Sequence, residues 1–222
     1  MDKQLKQQLI AEKLKRELER RHKDKQESLI EFITYYFKEE LNKDFQVNWH
    51  HEKIAHALEQ VLEGKINRLM INIHPGSAKT ELVTKCFPVW ALGKIEDTQI
   101  IATGYSTQLT QSYGHQARDY YNSVTYRRVF PRHAPIRDDQ STKGLWKNTK
   151  GGQYLATGTG GSITGNRANI FIIDDPIKPD EAERSDVKRT AVNKWYDNTV
   201  LSRLFNAEKD AVIIVMQRTH ED

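Results

Sequence analysis

The feature that most constrains the fold is a run of three segments: Leu69-Met70-Ile71-Asn72-Ile73, then His74-Pro75-Gly76-Ser77-Ala78-Lys79-Thr80, then a helical pattern reaching about Trp90. A short apolar run bounded by turn residues is the signature of a buried strand, and Pro75-Gly76 marks the turn that ends it. Strand, tight turn and helix in that order predict a βα unit. The pattern recurs downstream. Residues 99–105 predict a second strand, followed by a helix through Tyr121. Residues 169–173 predict a buried strand that ends in Asp174-Asp175, residues 186–204 a helix, and residues 211–216 a last apolar strand. Strands alternating with helices predict an α/β fold with a mainly parallel central sheet covered on both faces. Residues 144–165 break the rhythm. Their glycines, Gly158-Thr159-Gly160-Gly161 among them, predict a hairpin or a loop insert.

Ahead of the first strand the texture is helical. Leu29, Ile30, Ile33, Phe37 and Leu41 line one face of an amphipathic helix. A further helix spans residues 49–62 and stops near Gly64. Leu5, Leu9, Leu14 and Leu18 predict another over residues 1–20. Residues 1–46 therefore read as a helical N-terminal arm, and residues 47–222 as the α/β domain. A chain of 222 residues accommodates one such domain with an appendage.

Charge narrows the partners. The formal net charge is +4 and the pI about 9.0, which suits a polyanion without requiring one. The excess is local: residues 127–150 carry seven Lys/Arg against two Asp/Glu. Cys86 is the single cysteine, so no intrachain disulfide is expected and a reducing compartment is. No apolar run approaches the ~20 residues that span a bilayer, and no signal-peptide core follows Asp2. The expected setting is soluble and intracellular.

Two motifs carry chemistry. Where a strand turns into a helix that opens on Lys-Thr, backbone N–H groups and the helix N-terminus can hold phosphate oxygens; the lysine reaches the β and γ phosphates and the hydroxyl binds Mg²⁺. Lys79 and Thr80 are placed for these roles. Ala78 stands where a glycine is usual, and an ordinary strand–helix turn fits the same residues. The second motif changes the balance. Ile170-Phe171-Ile172-Ile173-Asp174-Asp175 is a buried strand delivering two carboxylates to its C-terminal edge, where ligands bind in open α/β sheets. Asp174 would hold Mg²⁺, and Asp175 would polarise an attacking water. One apparent motif is set aside. The histidines of His51-Glu52-Lys53-Ile54-Ala55-His56 are five residues apart, about 140° around a helix, and cannot share one metal.

In this order the motifs resemble the ATPase domain of a tailed-bacteriophage terminase large subunit, over residues 47–222. The resemblance takes in Trp49-His50, Arg68-Leu69, Phe87-Pro88-Val89-Trp90 and Asp139-Gln140-Ser141-Thr142-Lys143. It continues through Asn148-Thr149, Gly160-Gly161-Ser162-Ile163-Thr164-Gly165, Asp174-Asp175-Pro176, Ser202-Arg203-Leu204 and Met216-Gln217-Arg218-Thr219-His220-Glu221-Asp222. It implies a P-loop NTPase of the additional-strand type, with ATP and Mg²⁺ as cofactors. The implied nucleotide contacts are Trp49, His50, His74, Pro75, Gly76, Ser77, Ala78, Lys79, Thr80 and Glu81, and His51 lies on the same adenine side. The implied metal ligands are Thr80 and Asp174. The implied catalytic residues are Lys79, Asp175 and Gln217, the last a γ-phosphate sensor in motif III.

Relatives carry an arginine where this chain has Gly76, so a charge-stabilising arginine must come from elsewhere. Arg137 and Arg128, in the basic stretch, are the candidates carried forward from Arg118, Arg127, Arg128, Arg132, Arg137, Arg167, Arg203 and Arg218. The resemblance further implies double-stranded DNA, a portal and a small terminase subunit as partners. It implies a ring of like subunits, no membrane, and the host-cell cytoplasm during virion assembly. No cluster of acidic residues for a nuclease follows motif III, so no DNA cleavage is expected. Two other readings fit the same motifs: a nucleic-acid helicase or remodeller, and a nucleotide-binding assembly module without hydrolysis. Residues 1–41 either dock to another subunit or pack as helices.

Overall fold

The computed structural model describes residues 12, 13, 17, 23–161, 163 and 165–218. Most of the helix expected over residues 1–20 lies outside the described residues, as do Ser162, Thr164 and residues 219–222. Among the described residues seven strands form one sheet: β1 (Arg68–Asn72), β2 (Gln99–Gly104), β3 (Ile136–Ser141), β4 (Leu145–Asn148), β5 (Gln153–Gly158), β6 (Ile170–Asp174) and β7 (Ala211–Met216). Their order is β1-β7-β6-β2-β5-β4-β3. The first five in that order pair in parallel, while β4 runs antiparallel to β5 and β3 to β4.

The helices are α1 (Leu29–Glu39), α2 (Trp49–Leu62), α3 (Phe87–Lys94), α4 (Thr107–Asn122), α5 (Val124–Val129), α6 (Pro179–Arg184) and α7 (Asp186–Trp195). Side chains of a strand alternate between faces, and the core divides accordingly. Ile71, Ile100, Ala102, Ile172, Ile213 and Val215 join α1, α2, α3 and α4 in the larger cluster. Ile101, Phe171, Ile173 and Val212 join Val200 and Leu204 on the other face. Helix α1 buries Leu29, Phe32, Ile33 and Tyr36 in the larger cluster. Its first N–H is capped by the Glu59 carboxylate of α2 at 2.7 Å. The segment read from sequence as part of an N-terminal arm thus shares its core with the sheet.

Residues 144–165 do form a hairpin, but its second strand lies inside the sheet. β5 is buried along its whole length, and a strand covered on both faces shows no alternation to read. β2 and β5 end in the same tripeptide, in register: Ala102 beside Ala156, Thr103 beside Thr157, Gly104 beside Gly158. A Cβ on Gly104 would sit 2.8 Å from the Asp174 carbonyl and from Thr110 Oγ1, and one on Gly158 would sit 2.3 Å from Thr107 Oγ1. The two glycines let the start of α4 close over the strand ends.

The helix expected to open at Lys79 is not uniform. Residues Glu81–Cys86 form a π-helical turn that runs into α3, with the Phe87 N–H bonded to the Leu82 carbonyl five residues back. The cause is legible in Pro88. An α-helix would pair the Thr84 carbonyl with the N–H of residue 88, which proline lacks, and the proline ring crowds that same carbonyl. The Tyr154 hydroxyl of β5 donates to the Thr84 carbonyl at 2.8 Å instead. Similarly, the helix expected through Leu204 is α7, a π-helical turn over Tyr196–Val200 and a 3₁₀ turn over Leu201–Arg203.

Candidate functional site

Parallel pairing brings the C-terminal ends of β1, β7, β6, β2 and β5 to one edge, and the two sequence motifs meet there. The Ile73 N–H donates to the Met216 carbonyl at 3.1 Å, which prolongs the β1–β7 pairing into the turn. Within the turn the Ser77 hydroxyl donates to the His74 carbonyl at 2.8 Å. Gly76 has φ +79° and Ala78 φ +55°. A left-handed residue inside a tight turn is the backbone form of anion-binding nests. The first helical bond runs from the Leu82 N–H to the Ala78 carbonyl. The N–H groups ahead of Leu82 therefore begin a helix and lack intrahelical acceptors, so the positive end of the helix opens onto the turn.

Lys79 is buried, and its Nζ lies 2.7 Å from Asp175 Oδ1. Asp175 is itself held in a left-handed backbone, φ +46°. Its N–H donates to the Val215 carbonyl, and its carbonyl accepts from the Tyr105 N–H, both at 2.9 Å. Asp174 is 6% exposed. Its Oδ2 accepts from the Thr84 hydroxyl at 2.7 Å. Its Oδ1 is buried and has no hydrogen-bond partner among the described residues. Burial pushes the Asp174 carboxyl above its usual range, opposed by the Thr84 hydrogen bond and by the nearby Thr80 hydroxyl. A buried carboxylate oxygen without a partner, beside a threonine hydroxyl, is a hard-oxygen donor set of the kind Mg²⁺ takes; Mg²⁺ commonly uses few protein ligands and completes its shell with phosphate and water. These residues fit that ion.

Around this centre Thr80, Gly104, Tyr105, Ser106, Leu109, Thr110, Tyr113, Asp174 and Asp175 line a cavity of about 110 Å³. Burial, with the Asp174 charge nearby, raises the Tyr113 phenol above its ordinary range. A larger cavity of about 500 Å³ lies under α6 and α7, between Met70, Ile214 and Trp195, and contains none of Lys79, Thr80, Asp174 or Asp175. The charged groups converge on the smaller one.

Helix α2 carries the expected base-side residues to the turn. Asn48 and His51 form a capping box, with His51 Nδ1 accepting the Asn48 N–H at 3.0 Å. His51 also bonds the Ser77 backbone, and its pKa is lowered by burial and then by His50. The His50 and His74 rings lie 6.4 Å apart between centroids, and Trp49 is 71% exposed beside them. Gln217 follows β7, whose last residue pairs with Asn72 at the root of the turn.

The remaining expected residues point elsewhere. The Glu81 carboxylate is engaged by Lys85 at 2.7 Å and by the Tyr120 hydroxyl at 2.8 Å, toward α4, which leaves its backbone N–H for the turn. Arg137 chelates Asp139 on β3. β3 lies four strands from β6, about 19 Å at the usual strand spacing. Arg128 is exposed on α5, 3.8 Å from Glu39. Neither reaches Asp175 within the chain. Thr84 and the pairing of Gly104 with Gly158 were not anticipated; Gly158, read as part of a turn, ends β5. The repeated Ala-Thr-Gly and Pro88 are the sequence signals that mark them.

A family model described as terminase large subunit, T4likevirus-type, N-terminal, matches residues 70–222, more than half of the chain. Among solved structures, the crystal structure of the HK97 bacteriophage large terminase is similar with a TM-score of 0.53 at 16% identity, over 86% of this chain. At that identity the likeness concerns the fold. The chain spans 37% of that terminase's length. No curated protein matches.

Proposed function

Because the chain belongs to the family of terminase large subunits of T4likevirus type, over the N-terminal part of such proteins, we propose that it is the ATP-hydrolysing motor of a DNA-packaging machine. In this reading residues 47–222 are a P-loop ATPase domain of the additional-strand type. It moves double-stranded DNA into a procapsid, in a ring on a portal and together with a small terminase subunit, in the host-cell cytoplasm. What supports the reading above all is one convergence. Lys79 from the turn meets Asp175, the residue after β6, at 2.7 Å, beside the unpartnered Oδ1 of Asp174.

The chemistry follows from these groups. Nucleotide phosphates would be received by the turn's N–H groups and helix N-terminus, with Trp49 and His50 on the base side. Lys79 would leave Asp175 for the β and γ phosphate oxygens, where its charge offsets the negative charge of the transferring phosphoryl group. That exchange frees the Asp175 carboxylate to orient and deprotonate the attacking water. Thr80 and Asp174 would hold Mg²⁺, which supplies further neutralisation of phosphate charge. Gln217, at the end of β7, would read the presence of the γ phosphate. Arg137 and Arg128 lie away from Asp175 in their own chain, so either would serve the transition state only from a neighbouring subunit.

The experiment is phosphate release measured beside calorimetric titration with a non-hydrolysable ATP analogue. Lys79→Ala is expected to abolish turnover. Asp175→Ala is expected to bind the analogue yet hydrolyse ATP about 10²-fold or more slowly, the ordinary worth of a general base. Wild-type turnover in both variants would refute the proposal.

A further inference from the structure

Thr84 lies outside the phosphate turn, is fully buried, and has no part in the chemistry above. In a regular helix a threonine hydroxyl commonly bonds the carbonyl four residues back. Here it donates across to Asp174 Oδ2 on β6, at 2.7 Å. Its placement is built from three elements. Pro88 removes the N–H that would pair with the Thr84 carbonyl. The π-helical turn Glu81–Cys86 takes up the irregularity, a form that recurs at functional sites. Tyr154 of β5 then anchors the Thr84 carbonyl through its hydroxyl at 2.8 Å. A hydroxyl has one proton to give. By giving it to Oδ2, Thr84 fixes the carboxylate rotation and leaves Oδ1 as the buried oxygen without a partner.

We propose that Thr84 is a positioning residue for the Asp174 carboxylate, presenting Oδ1 to a divalent cation. The proposal rests on the reading of Asp174 as a Mg²⁺ ligand. Groups that orient metal ligands through hydrogen bonds are typically worth 10–100-fold in metal affinity. Thr84→Val keeps shape and removes the hydroxyl; Thr84→Ser keeps the hydroxyl and removes the methyl group.

The test is ADP binding to the full chain, first in EDTA and then across a Mg²⁺ titration, with melting temperatures recorded in parallel. In Thr84→Val the Mg²⁺ concentration giving half of the affinity enhancement is expected to rise about 10-fold or more. Its ADP affinity in EDTA is expected to stay within about 2-fold of wild type, since the nest and Lys79 are intact. Thr84→Ser is expected to restore the wild-type Mg²⁺ response. A Mg²⁺ half-point in Thr84→Val equal to that of wild type would overturn the positioning role alone. So would a serine variant that behaves like the valine one, or an EDTA affinity lost in step with the melting temperature. No Mg²⁺ enhancement in wild type would overturn the metal assignment and this proposal together.

Discussion

Ala78 and Asp175 both hold left-handed backbones, with φ +55° and +46°, and flank the Lys79–Asp175 contact. For residues with a side chain that conformation costs about 1–2 kcal/mol, with aspartate among the more tolerant. Strain of this kind persists where its surroundings over-determine it. Here those surroundings are the Val215 and Tyr105 backbone bonds to Asp175 and the helix that starts on the Ala78 carbonyl. At Ala78 the alternatives can be weighed. Glycine would relieve the strain, but it would raise the entropy of the unfolded chain by an offsetting ~0.4–1 kcal/mol. A β-branched residue would meet the full steric penalty. Ala78→Gly is therefore expected to melt within about 2 °C of wild type, and Ala78→Val several degrees lower, at roughly 2–4 °C per kcal/mol for a domain of this size. Equal melting points for the two variants, read by differential scanning calorimetry, would show that the turn does not impose its backbone on residue 78.

Among the elements, α1 makes the sharpest demand on stability. Phe32 is fully buried, with ring centroids 6.0 Å from Tyr36, 6.2 Å from Tyr126 and 6.1 Å from Phe130. Phe32→Ala is expected to cost about 3–5 kcal/mol in urea unfolding; a loss below about 1 kcal/mol would mean that α1 docks only weakly. The same element shows where sequence reading stops. Leu29, Ile33 and Phe37 disclose an apolar face, but not what covers it, because periodicity carries no information about partners. β6 was legible since four buried apolar residues lead straight to two carboxylates. β3 was not: Ile136-Arg137-Asp138-Asp139-Gln140-Ser141 carries the charges of an edge strand, and nothing in them alternates. The turn carrying Lys79 and the two aspartates that it meets were legible from their residue types in order. Thr84 was missed because its partner lies 90 residues away, although Pro88 announced a fault in the helix that carries it.

At the scale of the molecule, part of the basic stretch is open to solvent. Arg127 and Arg132 are exposed around α5, and Lys150 is exposed after β4. If this surface meets DNA phosphates, affinity for a short duplex should fall steeply with salt through counterion release. The variant carrying Arg127→Ala, Arg132→Ala and Lys150→Ala is then expected to flatten the plot of log K against log salt by about 3. Fluorescence anisotropy over a KCl series reads both. A slope unchanged by the three substitutions would place the DNA elsewhere, and a flat wild-type response would remove DNA as a partner of this domain.

The sheet order also sets a schedule. β1 carries the phosphate turn, yet its partner in the sheet is β7, which the ribosome makes roughly 140 residues later, an interval of about 7–30 s at ordinary elongation rates. Until β7 emerges, β1 has no neighbour, and Ile73 lacks the Met216 carbonyl that steadies the turn. Asp174 and Asp175 also precede β7 in synthesis. The candidate site is therefore completed by the last of the described strands of this sheet. A nascent chain interrupted before Ala211 has both motifs in its sequence and lacks the strand that joins them.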